Sequence, residues 1–211
     1  MILEQIEIGP MGNYAYLLAD EDSKRCALVD PAWDPDSLLR RIGEKELSLA
    51  AILVTHHHFD HTNGIESILS RHDVPVYIHQ SDAFALKGCG ENLRPIQGGY
   101  SLEIGRMEVS FLHTPGHTEG SQCFLAGDRL LTGDTLFIRG CGRTDLPGGD
   151  PEKMYASLRR LASLAEATWI LPGHNYSPEP TATLAQERSR NPYLQASLDC
   201  SPAEFRRVVG F

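Results

Sequence analysis

The hydrophobic patterning of the chain predicts a mixed α/β or α+β architecture, on three observations. Residues 2–8 alternate Ile2, Ile6 and Ile8 with polar side chains and open a run of short strands. The apolar block at residues 49–54 is a buried strand that leads into a helical pattern. From Ser101 a second run of short strands begins, and helices follow it in turn. At 211 residues the sequence can bury a proper core, and a single domain spanning residues 1–211 is expected.

Each element has its own signal. Gly9 to Gly12 turn the chain after the first strand; residues 14–19 and 26–29 read as the next two, joined by the polar hairpin Glu21-Asp22-Ser23-Lys24. Asp30-Pro31 closes the third strand. Asp34 supplies an N-cap and Pro35 a first helical residue, ahead of Leu38, Leu39 and Ile42 at helical spacing, with Gly43 cutting the helix short. Residues 49–55 form a fully buried strand, followed by an amphipathic helix carrying Ile65, Ile68 and Leu69. Residues 74–78 are another short strand, and residues 81–99, with four glycines, are expected as an irregular, lid-like connection. In the second run, residues 107–112, 122–125 and 130–131 are strands. A helix over 151–164 places Met154, Leu158, Leu161 and Leu164 on one side. Residues 169–171 are expected as the last strand and 181–190 as a helix stopped by Asn191-Pro192. The helical extension from about residue 180 is too short to form a separate domain.

Composition narrows the function. A net charge of -9 and a pI near 5.4, with no Lys/Arg-rich block, argue against nucleic acid or an anionic membrane as partner. The N-terminus Met1-Ile2-Leu3-Glu4 lacks the features of a signal peptide, and no apolar run is long enough to span a bilayer, so the expected compartment is the cytoplasm. Five scattered cysteines without a C-x-x-C pair predict reduced thiols; Cys141, between two glycines, is read as a structural thiol.

The most informative stretch is Thr55-His56-His57-His58-Phe59-Asp60-His61, directly after the apolar strand. In an extended strand end, His56 and His58 project to one face and can reach one ion, while His57 points away. The turn after Phe59 brings Asp60 and His61 towards a second point nearby. Three further candidates are flanked by glycine or proline, as loop-borne ligands on a rigid scaffold are: His117 in Thr-Pro-Gly-His-Thr, Asp134 in Gly-Asp-Thr and His174 in Pro-Gly-His. His72, His79 and His113 are read as surface or core-edge histidines, with His113 close enough in sequence to support His117.

H-x-H-x-D-H, then T-P-G-H-T, G-D-T and P-G-H in that order, resembles the metallo-β-lactamase superfamily and, within it, the glyoxalase II (hydroxyacylglutathione hydrolase) branch. The resemblance implies a four-layer αβ/βα sandwich of two mixed sheets with helices outside. It also implies His56, His58 and His117 on one metal, Asp60, His61 and His174 on a second, and Asp134 bridging. Two divalent ions are expected, zinc first, with iron or manganese also accommodated. They would make a bridging hydroxide available at neutral pH without a protein nucleophile, with Asp60 and Asp134 in the catalytic set. A thioester, whose thiolate leaves readily, suits this chemistry better than an amide.

In the same branch Arg143 and Tyr176 match positions that hold the glutathione part, so the expected partner is a small anionic thioester or thiol. The chain departs from that branch at two points: Asp145 stands where the family has an aromatic residue, and the 37 residues after His174 are too few for the family's full C-terminal helical domain. The run from Ile138 to Asp145 also resembles persulfide dioxygenases, which use one iron held by the positions of His56, His117 and Asp134. That is one alternative; a non-catalytic metal-binding protein is another.

Overall fold

The computed structural model describes residues 1–209. Strands β1 (Ile2–Ile8), β2 (Asn13–Ala19) and β3 (Arg25–Val29) form an antiparallel meander. Helix α1 (Pro35–Glu44) then crosses over to β4 (Ser48–Leu53), parallel to β3, as a parallel neighbour requires. Two short helices, α2 (Phe59–Thr62) and α3 (Ile65–Leu69), lead to β5 (Val76–His79), and a 3-10 segment, Ala83–Asn92, leads to β6 (Leu93–Ile96). The first sheet runs β1-β2-β3-β4-β5-β6 and is parallel from β3 onwards.

The second sheet begins with β7 (Ser101–Ile104), β8 (Met107–His113), β9 (Gln122–Ala126) and β10 (Arg129–Gly133). A small ribbon of β11 (Leu136–Phe137) and β12 (Gly140–Cys141) follows, then α4 (Pro151–Ala162), β13 (Trp169–Pro172) and β14 (Ala182–Thr183). The order is β14-β13-β10-β9-β8-β7, and only the β10–β13 pair is parallel. Helices α5 (Leu184–Arg190), α6 (Pro192–Asp199) and α7 (Pro202–Val208) complete the described chain.

Strand alternation sorts side chains into three apolar layers. Ala15, Leu17, Cys26, Leu28, Ile52 and Val54 face outward onto Leu38, Ile42, Ile65 and Ile68 of α1 and α3. Their neighbours Tyr16, Leu18, Ala27, Val29 and Leu53 face inward, meeting Phe111, Phe124, Leu131 and Leu171 of the second sheet. Leu130 and Ile170 point the other way, into a third layer with Met154, Leu158, Leu184, Leu194 and Phe205. Helices, sheet, sheet, helices is the four-layer sandwich the resemblance implied, with the α/β character read from the pattern.

The departures are local. The helix expected behind the histidines is α3; the turn expected after Phe59 is itself a single helical turn, α2, separated from α3 by Asn63 and Gly64. Gly43 lies inside α1, which ends one residue later at Glu44 with Lys45 as its C-cap. Residues 81–99 are not merely irregular: they hold the 3-10 segment and edge strand β6. Residues 169–171 are not the last strand, since β14 pairs with β13. Asn191-Pro192 both stops α5 and starts α6: the Asn191 side chain accepts from Tyr193 N and Leu194 N, and proline fits the first helical position.

The two sheets meet at their strand ends. Tyr14 N donates to Gly173 O (2.8 Å) and Asn175 N to Gly12 O (2.7 Å), so the start of β2 is tied to the loop after β13. The loops after β4, β10 and β13, at strand carboxyl ends, open on the same region, as is usual for ligand sites of open α/β sheets.

Candidate metal centre

Two groups of ligating atoms converge there. In the first, His58 Nδ1 lies 3.1 Å from His56 Nε2 and 2.9 Å from His117 Nε2. In the second, His61 Nε2 lies 3.1 Å from His174 Nε2, and Asp60 Oδ2 is 3.6 Å and 3.5 Å from those two nitrogens. Asp134 stands between them: Oδ2 is 3.5 Å from His117 Nε2 and 3.3 Å from His174 Nε2, while Oδ1 is 3.5 Å from His61 Nε2. All seven residues expected from sequence are thus brought together, most of them buried.

The outer hydrogen bonds fix which atoms point inward. His117 Nδ1 donates to Arg143 O (2.8 Å) and His174 Nδ1 to Met11 O (3.1 Å). His61 Nδ1 donates to Asp30 Oδ2 (3.1 Å). Thr55 Oγ1 gives its proton to the same oxygen (2.6 Å), so it accepts from His56 Nδ1 (3.0 Å). With the outer nitrogen protonated, each of these four rings presents a bare Nε2 lone pair to the centre. Lone pairs 3.1 Å apart, as in His61 and His174, repel unless a proton or a cation lies between them. Asp134 Oδ1, buried with no hydrogen-bond partner, points the same way. Neutral imidazoles and an orphaned carboxylate oxygen suit a pair of divalent cations.

Charge supports this. Burial, with His61 and other imidazoles nearby, keeps His56 well below its ordinary value, and burial with His117 and His57 takes His58 down to about 4, so both rings are neutral near pH 7 and their lone pairs are available to a cation. Burial alone would lower His61 and raise Asp134. The Asp134, Asp30 and Asp60 carboxylates nevertheless lift His61 to about 9, and His61, His174 and His56 hold Asp134 well below the usual carboxylate range. The buried carboxylates thus demand positive charge, which a proton supplies when no cation does.

Several supports were not read from sequence. Asp30, with φ +47°, anchors both clusters, and its oxygens also accept from Thr55 N (2.7 Å) and Thr55 Oγ1. An acidic residue ending the strand beside the ligand strand was its available signal. Asn13 Nδ2 donates to Asp60 Oδ2 (2.8 Å) and to its backbone oxygen (3.1 Å), while Asn13 Oδ1 accepts from Trp33 Nε1 (3.0 Å). Gly173 must be glycine: a Cβ there would lie 2.3 Å from Asp134 Oδ1.

Beside the centre is a cleft of about 210 Å³ walled by Met11, Phe137, Arg143, Leu146 and Tyr176. Tyr176 stacks on His174 at 4.6 Å. Arg143 is on the wall as expected but engaged: Nε and Nη2 donate to the two Asp145 oxygens at 2.9 and 2.7 Å. Burial pushes the Cys141 thiol up to about 12, in keeping with a structural role. His113 does not support His117. It stacks on His79 at 3.9 Å, and its Nε2 donates to Glu119 O.

Residues 8–174 match the family described as the metallo-beta-lactamase superfamily. The chain belongs to this superfamily. A hydroxyacylglutathione hydrolase of Alkalilimnicola ehrlichii is 37% identical over 195 residues, covering 92% of this chain and 74% of that one. Among solved structures, ETHE1 from Myxococcus xanthus is 31% identical with a TM-score of 0.88, over 99% of this chain and 90% of that one. TTHA1623 in a di-iron-bound form is 33% identical with a TM-score of 0.79, over 90% and 99%. As members of this superfamily are metal-dependent and its hydrolase-named relatives are close, the chain is a metal-binding enzyme of the hydrolase kind. Among the described residues no helix is long and apolar enough to cross a membrane.

Proposed function

We propose that this protein is a binuclear metal-dependent hydrolase of a small thioester, of the hydroxyacylglutathione type. The observation that carries the reading is Asp134, which stands within 3.5 Å of imidazole nitrogens from both clusters and keeps one buried oxygen without a partner. Two cations, when bound, supply an activated water and polarise the scissile carbonyl. His56, His58 and His117 would hold one, and Asp60, His61 and His174 the other. Zinc is the first candidate; the di-iron form of TTHA1623 supports iron as the second.

The chain's own groups do the rest. Asp30, Asn13 and the Met11 and Arg143 carbonyls orient the ligands, so the site is arranged before substrate arrives. Phe137, Leu146 and Tyr176 give the cleft apolar walls, which would suit the carbon chain of a substrate. Arg143 can meet a substrate anion once it releases Asp145, an exposed pair that solvent screening keeps weak. We read residues 1–211 as one domain, because α5, α6 and α7 share an apolar layer with α4. We also place it in the cytoplasm: among the described residues all cysteines are free, as reduced thiols are there.

A second reading, a mononuclear iron persulfide dioxygenase using His56, His117 and Asp134, is favoured by the likeness to ETHE1 but no better than the first. Zinc-loaded and iron-loaded protein incubated with S-lactoylglutathione and with glutathione persulfide separates them. The hydrolase releases thiol with zinc alone and takes up no oxygen. Oxygen uptake by the iron form, with no thioester cleavage by either form, would establish the dioxygenase instead.

A further inference from the structure

We infer that Asp82 is the positioning residue of the first cluster, its carboxylate clamping together the two loops that supply His56, His58 and His117. The inference rests on the reading that these three imidazoles hold a cation. Asp82 follows β5 at the head of the 3-10 segment and is 1% exposed. Its Oδ2 accepts from His57 N (3.0 Å) and Thr118 Oγ1 (2.7 Å), and its Oδ1 from Gly120 N (2.8 Å). His57 lies between two of the ligands, and Thr118 follows the third. The His57 ring, pointing away from the centre, also places Nδ1 2.9 Å from Asp82 Oδ2, without hydrogen-bond alignment.

The partner loop is shaped to receive this carboxylate. Thr118 N donates to Ser121 Oγ (3.0 Å), closing the turn, and a Cβ on Gly120 would lie 2.4 Å from Asp82 Cγ. A buried carboxylate with three donors is a strong, directional tie, and removing it leaves backbone N–H groups without partners. The second cluster is oriented by other groups: Asp30 on His61, Asn13 on Asp60 and the Met11 carbonyl on His174. Asp82 therefore governs the first cluster selectively.

Metal-stripped protein titrated with zinc against a chromophoric chelator tests this. His58→Ala and His61→Ala, each lacking one ligand of one cluster, assign the two binding phases. Asp82→Asn should lower first-cluster affinity about 10- to 100-fold, in the range typical of groups that orient metal ligands, and leave the second phase in place. Thr118→Val, which removes one donor at nearly constant volume, should shift the same phase by less. Equal weakening of both phases, or no shift in either, in protein whose circular dichroism matches the wild type, would overturn the inference; if Asp82→Asn does not fold, Thr118→Val is judged by the same criterion. Wild-type protein that binds one ion would bring down the binuclear reading, and this inference with it if His58→Ala does not weaken that ion, whereas unselective loss in the variants alone brings down only the inference.

Discussion

The first cluster takes three imidazoles from two loops and has no carboxylate of its own, whereas the second draws His61, His174 and Asp60 from α2 and from the loop after β13. Their outer supports differ as well. One leans on backbone geometry around Asp82, the other on Asn13 and the Met11 carbonyl. Among the described residues only Asp134 and Asp30 serve both, Asp134 directly and Asp30 through His61 and, by way of Thr55, His56. Residues that reach both clusters should therefore have larger effects than residues that reach one, and the charge of the second set makes it the better host for an oxygen-preferring ion.

The largest expected effect is at Asp134. Asp134→Asn should weaken both ions and cut kcat/KM by more than about 100-fold, beyond the range seen for groups that only orient ligands, because it replaces a shared anionic ligand. Chelator competition and steady-state kinetics on the same preparation measure both; loss of one ion only would break the symmetry claimed for it. Next comes Asp30→Asn, expected to weaken both phases about 10- to 100-fold. A shift confined to the second cluster would show that the Thr55 link to His56 transmits little.

Asn13→Ala should act on the second cluster alone, at the lower end of the same range, about 10-fold, since Asp60 keeps its place in α2 but loses its donor. Chelator competition reads this directly, and a matching loss at the first cluster would erase the distinction between the two. Smallest is Arg143→Ala. Because its guanidinium already pairs with Asp145 in an exposed position, KM for an anionic thioester should rise only several-fold, with kcat nearly unchanged. An unaltered KM would mean that the cleft recognises its substrate without this residue.

The difference between the clusters also explains what could be read from the chain. His56, His58, Asp60 and His61 are close in sequence, and strand alternation plus one turn places them; His117, Asp134 and His174 stood out by their Gly and Pro flanks. The supports did not stand out, because their work depends on contacts between distant segments. Asn13 reaches Asp60 across 47 positions, and Asp82 reaches His57 across 25 and Gly120 across 38. Likewise the sheets were legible where alternation is strong, in β1 to β4 and β8 to β10. Edge strands β6 and β14 were missed because Leu93-Arg94-Pro95-Ile96 and Ala182-Thr183 carry too short a pattern. The helix after Asn191 was missed because a proline read only as a stop also starts helices.

The central claim is that two cations sit side by side and share Asp134, and the most direct measurement is the metal content of the purified protein. Elemental analysis after loading with zinc and removal of free ion should give close to two ions per chain for the wild type, falling towards one in His61→Ala and in His174→Ala. One ion per chain in the wild type, unchanged by either substitution, would contradict the binuclear account.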